Sequence, residues 1–338
     1  MSSPLLSVKP LGMPWETFDP FLFCVHHNDA YPSGNAQMGP NASLAGRQIG
    51  QDFGGKEGWS MYHGEVVPGF PSHPHRGFET ITMARRGYID HSDSLGATAR
   101  FGHGDVQWMT AGKGIQHAEM FPLVHADRGN PTELFQIWLN LPAHDKMVDP
   151  YFTMLWADTL PRYRFGDDRG VTEVVSIVGG LGEARGPTPP PNSWASKTGS
   201  DVAIMTLKMS PEARWTLPEA PKGVNRALYY FAGETLTMAG RSLRPGVGVR
   251  LDPTAPIPLA NGGTESELLL LQGRPIREPV AHYGPFVMNT PEELQQAFVD
   301  YRATRFGGWP WSRPDPVHDR LSKRFAVHAD GRREEPET

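Results

Sequence analysis

Glycine or proline interrupts this chain about once every five residues, well above the usual share; 37 glycines and 33 prolines stand among 338 positions. Proline removes a backbone donor and clashes with the preceding helical turn, and glycine costs about 1 kcal/mol at each helical position. A helical bundle or coiled coil is therefore excluded, and short strands joined by tight turns are what such a chain can build. Hydrophobic residues at 38% and aromatics at 10% supply a packed core and rule out a disordered chain. The 32 basic and 37 acidic residues leave a net charge of −5, which offers no electrostatic footprint for direct nucleic-acid binding. The single cysteine, Cys24, excludes an internal disulfide and any thiolate cluster, which suits a reducing compartment. No apolar run exceeds the six residues from Ala227 to Ala232, far below the ~20 that cross a bilayer as a helix. The N-terminus lacks the charged head and apolar middle of a signal peptide, so no membrane association and a cytoplasmic location are expected.

Turn residues divide the chain into strand candidates. Residues 1–60 read as irregular chain with scattered short strands, because Pro10, Pro14, Pro20, Pro32 and Pro40 break any long helix. Phe78 to Met83, Tyr88 to His91, Asp105 to Thr110 and Leu134 to Leu141 are strands bounded by glycines, Asp93-Ser94 and Pro142. A second set comprises Thr172–Val178, Val202–Met209, Ala227–Phe231, Gly246–Leu251 and Leu268–Leu271. Such spacing points to an all-β sandwich or barrel. The turn-strand pattern after Arg86-Gly87 and around Gly102-His103-Gly104-Asp105-Val106 recurs at Ala232-Gly233-Glu234 and Arg244-Pro245-Gly246-Val247. The chain thus reads as two copies of one β-unit. Thr290 caps a predicted helix over 291–305, with Leu294, Ala297, Phe298 and Tyr301 on one face. Beyond Trp311 the chain is charged and is expected to fray. The resulting division is a first domain at 1–165, a second at 166–310 that includes the helix, and a charged tail at 311–338.

Histidine separates the two units. Ten of the 13 histidines fall between His26 and His144, and none lies between Asp145 and Ala281. Two pairs stand out, His73-Pro74-His75 and, 42 residues after His75, His117-Ala118-Glu119. On a strand, i and i+2 side chains share a face, so two such pairs on neighbouring strands point four ligands into one cavity. Three imidazoles and a carboxylate suit iron, manganese, nickel or zinc. Against this, chance alone gives roughly half an His-x-His in a chain so rich in histidine, and Pro74 suits only a strand end or edge. From the residues alone, a metal site and ordinary structural histidines are about equally supported.

Other motifs fare worse. Gly112-Lys113-Gly114 lacks the Ser or Thr, and the upstream glycine, of a phosphate loop. Gly180-x-Gly182 is followed by a proline-rich segment instead of a helix, so no dinucleotide fingerprint is present. His26-His27 fits no standard metal spacing. Cys24, flanked by apolar residues, reads as a buried spectator. Glu79 faces either the cavity or a structural partner, and the structural role is favoured. Trp108 is read as barrel core.

At these residues the chain resembles the pirin family of the cupin superfamily. His73-Pro-His-Arg-Gly-Phe-Glu-Thr80 is similar to the first pirin motif. Gly104 to Gly112 (GDVQWMTAG), with Ile115, His117, Glu119 and Met120, is similar to the second. Leu134 to Leu141, Lys146-Met147-Val148 and Gly284-Pro-Phe-Val-Met-Asn-Thr290 extend the likeness, which runs from about Phe18 to Phe306. The chain looks like a bacterial-type pirin with an enlarged N-terminal segment (His26 to Gly69) and a longer tail. The resemblance implies a bicupin, two tandem antiparallel β-barrels with a C-terminal helix. It further implies one metal ion, normally non-haem iron as Fe(2+), in the first barrel, with His73, His75, His117 and Glu119 as ligands.

For activity the resemblance implies two readings. One is a quercetin 2,3-dioxygenase-type enzyme using dioxygen to open a flavonol or similar planar aromatic. Glu119 would serve there as ligand and general base, and Phe70 as an apolar wall of the substrate pocket. The other is a metal- or redox-dependent regulator that binds a protein partner. A zinc hydrolase is a weaker third.

Overall fold

The computed structural model describes residues 3–181 and 184–337; Gly182 of the rejected glycine motif falls outside them. The chain folds into two compact units. One comprises residues 26–137, 141–158 and 278–338, the other 1–25, 138–140 and 159–277. Both are built from antiparallel strands, and the fold is the bicupin that the motifs implied. No helix among the described residues is long and apolar enough to cross a membrane.

The first unit closes two sheets over one interior. One sheet runs Tyr151–Leu155, Asp105–Thr110, Phe78–Arg86, Asn130–Asn140 and Phe21–Tyr31; the other runs Arg333–Glu334, Phe325–Val327, Thr98–Gly102, Tyr88–Asp93, Ile115–Met120 and Gly69–His75. Ala84, Leu134, Phe152 and Met154 of the first pack with Ile89, Ala99 and Phe101 of the second. The strand Gly69–His75 lies at the sheet edge, where a proline costs no ladder bond on its free side. This is why Pro74 is tolerated between two histidines. Gly77 is fixed by crowding: at φ 85°, a Cβ there would sit 2.0 Å from the Val287 carbonyl oxygen. Its neighbour Arg76 donates to Asp300 at 2.7 Å and to the Lys113 carbonyl at 2.7 Å. These two motif residues anchor backbone and helix.

In the second unit, a seven-stranded sheet runs Leu5–Pro10, Val247–Leu251, Asn225–Ala232, Ser266–Gly273, Ala203–Met209, Gly170–Val178 and Arg162–Asp167. It is accompanied by a four-stranded sheet of Arg214–Leu217, Ile257–Asn261, Leu236–Met238 and Arg241–Leu243. Its interior is apolar: Val174, Met205, Leu207, Leu228, Val249, Leu268 and Leu270 are buried together.

The expected strands form, with ends displaced by a few residues, and the helix spans Pro291–Thr304. Thr290 and Glu293 close a full capping box at its start. Two expectations need correction. Residues 1–60 hold an 11-residue strand, Phe21–Tyr31; its alternation was broken by the polar run His26-His27-Asn28-Asp29, whose members face inward and outward by turns. The tail does not fray. Phe325–Val327 pairs with Thr98–Gly102, and Ser72 donates to the Pro314 carbonyl at 2.7 Å.

A buried ion pair fixes the tail. Arg100 bonds both Asp90 oxygens at 2.7 Å and donates to the carbonyls of His318, Asp319 and Ser322. Neither partner is exposed. A tail read as charged and frayed is thus held by a cation from another strand, which local sequence does not reveal. Arg100→Met leaves Asp90 buried without its partner and is expected to cost about 3–5 kcal/mol. It should also expose residues 313–337 to protease. An unchanged urea midpoint with a protected tail would refute this role.

Candidate metal centre

Antiparallel pairing sets His73 directly opposite His117, with His75 opposite Ile115 and Phe70 opposite Glu119; the register shifts between Phe70 and His73. The ligand atoms of His73, His75 and His117 come within 4.8 Å of one another. Their ring centroids stand 4.5 to 4.9 Å apart. Three of the four side chains picked out by the i, i+2 spacing therefore converge.

The electrostatics suit a cation. Burial holds His73 down to about 4, and burial with neighbouring imidazoles holds His75 and His117 well below the ordinary histidine range. The neutral ring is the form that binds metal. His73 donates from Nδ1 to the Pro71 carbonyl at 2.8 Å, which leaves its Nε2 lone pair free. His117 is fully buried, and neither of its ring nitrogens has a protein partner. An unmet buried polar group costs about 1–3 kcal/mol, so a ligand for that lone pair is what this position lacks. The donor set therefore fits a divalent first-row ion.

Glu119 is not part of the three-histidine cluster. Its Oε1 accepts from the Thr82 hydroxyl and its Oε2 from the Gln136 amide, both at 2.7 Å. Burial raises its pKa, against the lowering effect of Thr82, His91 and Gln136. Phe70 is half-buried, its ring 6.3 Å from that of His73. Glu79 is structural, accepting from Trp108 at 3.1 Å and Thr110 at 2.8 Å. His26 pairs with Glu133 and His27 with Tyr62, so they form no metal site. Cys24 is buried and free.

The sequence reading missed His91. It stands opposite Glu119 in the ladder, its ring 5.5 Å from that of His117. Its Nε2 meets Asp93 at 3.2 Å, while its Nδ1 is buried without a protein partner. The signal was present: His91-x-Asp93 repeats the i, i+2 pattern of the two recognised pairs. Gln107, opposite Thr82, has both amide atoms buried and without a protein partner, as is the Thr80 hydroxyl. Several buried polar side chains of the first barrel thus stand without a protein hydrogen-bond partner.

Beside the centre, His27 and Asp29 converge on the hydroxyl of Tyr62 at 2.8 and 2.7 Å. Burial raises Asp29 from 3.8 to about 6, against the lowering bonds from Tyr62 and Ser60. A raised folded-state pKa gives stability that is complete below pH ~4 and lost as pH climbs through about 6. Asp29→Asn should therefore stabilise the protein at pH 8, by on the order of 2–3 kcal/mol, and have little effect at pH 4. Equal effects at both pH values would refute the assignment.

The architecture is that of a cupin, and its histidine cluster is one that could hold a metal ion. The comparisons narrow this. The chain matches the Pirin family over residues 13–139 and the Pirin C-terminal cupin domain over residues 204–307. A Pseudomonas aeruginosa protein provisionally named a quercetin 2,3-dioxygenase is 38% identical over 239 residues, covering 70% of this chain and 79% of its own length. Human pirin is 36% identical over 246 residues, 71% of this chain and 78% of its own. The crystal structure of a quercetin 2,3-dioxygenase from Acinetobacter baumannii superposes with a TM-score of 0.71 at 26% identity, covering 91% of this chain and 99% of that one. The chain belongs to the pirin family.

Replacing His73, His75 or His117 singly by alanine is expected to weaken divalent-metal binding by more than roughly tenfold. His103→Ala and His125→Ala, outside the cluster, should leave it unchanged. Equal metal content across all five variants would overturn the centre.

Proposed function

We propose that this protein is a metal-dependent oxygenase of the quercetin 2,3-dioxygenase type, with iron(II) as its metal and a flavonol or similarly planar hydroxylated aromatic as substrate. The observation that carries the reading is the convergence of three neutral imidazoles beside a buried carboxyl of raised pKa. Relatives and a structural neighbour named for quercetin cleavage support it.

A bound divalent ion supplies Lewis acidity that lowers the pKa of a coordinated hydroxyl and a centre at which dioxygen chemistry proceeds. His73, His75 and His117 would hold the ion. Glu119 would join them as a fourth donor: a carboxylate offers about four lone-pair sites, and the bonds from Thr82 and Gln136 occupy only one on each oxygen. Those bonds also fix the carboxylate plane. With its pKa raised by burial, Glu119 is suited to take the proton released by the substrate hydroxyl. Phe70, opposite Glu119, presents an apolar surface that keeps water from the reacting ring. The single thiol, buried and unbridged, fits the reducing cytoplasm.

The test is anaerobic loading with ferrous iron, addition of quercetin, admission of oxygen and measurement of the fall in flavonol absorbance. Wild-type protein should consume the flavonol, and His75→Ala/Glu119→Ala should not. Equal rates would sink the reading. Glu119→Gln, which keeps shape but loses both the base and the anionic donor, should lower kcat by about 100-fold.

A further inference from the structure

A strap from the N-terminal segment builds a wall of rings leading outward from the metal-binding histidines. Phe70, 6.3 Å from His73, stacks on Tyr62 at 5.2 Å and 27°. His63 meets Phe70 edge-on at 5.8 Å. Phe53 packs against Tyr62, His63 and Phe70 at 5.4, 5.1 and 6.4 Å. The order runs from the metal centre to solvent, where Phe53 is 47% exposed and His63 is exposed.

The strap is held firmly for a loop. Asp52 and Tyr62 exchange backbone hydrogen bonds of 2.9 Å. Asp52 also accepts from Arg47 and the Met61 amide, both at 2.9 Å. Arg47 lies 3.3 Å over the Trp59 ring, and the Tyr62 hydroxyl is tied to Asp29 and His27. An exposed phenylalanine on so fixed a base is a preorganised surface.

His63 adds a polar code. Its Nδ1 lies 2.7 Å from the Gly50 carbonyl, and a carbonyl can only accept. Nδ1 therefore carries the proton, and Nε2 presents a lone pair at an exposed position.

We infer that Phe53 and His63 form a distal substrate subsite outward of Phe70: Phe53 packs against the substrate ring remote from the metal, and His63 Nε2 accepts a hydrogen bond from a phenolic hydroxyl on that ring. The inference rests on the oxygenase reading for its substrate class and adds two specificity-determining residues to it. It selects planar aromatics with a donor on the second ring over those without one.

Binding to full-length protein loaded with zinc, which cannot support redox turnover, tests it. Kaempferol and galangin differ by one hydroxyl on the distal ring, and each is titrated by its absorbance change. Wild-type protein should bind kaempferol more tightly. Phe53→Ala should weaken both flavonols by roughly three- to tenfold, and Phe53→Tyr should restore them. His63→Phe should remove the preference for kaempferol while leaving galangin unchanged. Zinc content should be the same in all. If the wild type binds both and the variants bind as it does, the subsite is wrong and the oxygenase reading stands. If the wild type binds neither, both readings fall.

Discussion

The chemistry of the first domain depends on one antiparallel pairing, that of Gly69–His75 with Ile115–Met120. Because side chains alternate along a strand, a slip of one residue would turn every donor to the opposite face. The observed register sets His73 against His117 and, across a register shift, Phe70 against Glu119. The shift between Phe70 and His73 lets the strand bend there. Just at that bend, Ser72 is pinned from outside by the Pro314 carbonyl.

A polar interior is costly, and the two domains show where the cost is placed. In the second barrel, leucine, valine and methionine form the buried apolar cluster. In the first, histidines, Glu119, Gln107 and Thr80 occupy buried positions, several without a protein partner. Such groups are retained where a ligand completes them. The same unit also holds the Arg100–Asp90 pair and the tail strand it secures, a pairing costly to break because it would leave a buried charge unmatched.

Much of this was legible in the chain. Strands bounded by turn residues were found because glycine, proline and period-two alternation are local signals. The helix was found because its cap and its apolar spacing both lie within 15 residues. Phe21–Tyr31 was not legible: its polar middle pairs with partners far along the chain, His26 with Glu133 and His27 with Tyr62. The tail was misread for the same reason, since Arg100, some 220 residues away, supplies its anchor. At the site, His73, His75 and His117 stood out by spacing, whereas His91 was passed over because the expected strand was taken to end there, before Asp93 completes its i, i+2 pair.

The sequence by itself determined which half could carry a metal, since histidine is absent from 145–281, and which atoms could hold it, since one thiol leaves only nitrogen and oxygen donors. It also determined the family, through motifs whose residues keep their order along the chain. Tertiary structure decided what spacing could not: that His73, His75 and His117 converge while Glu119 is held by Thr82 and Gln136, that Glu79 turns to Trp108, and that Phe53 and His63 stand outward of Phe70. The physical reason is the same in each case. Strand periodicity fixes the face on which a side chain lies, but only the pairing of distant strands and the packing of loops fix what it meets there.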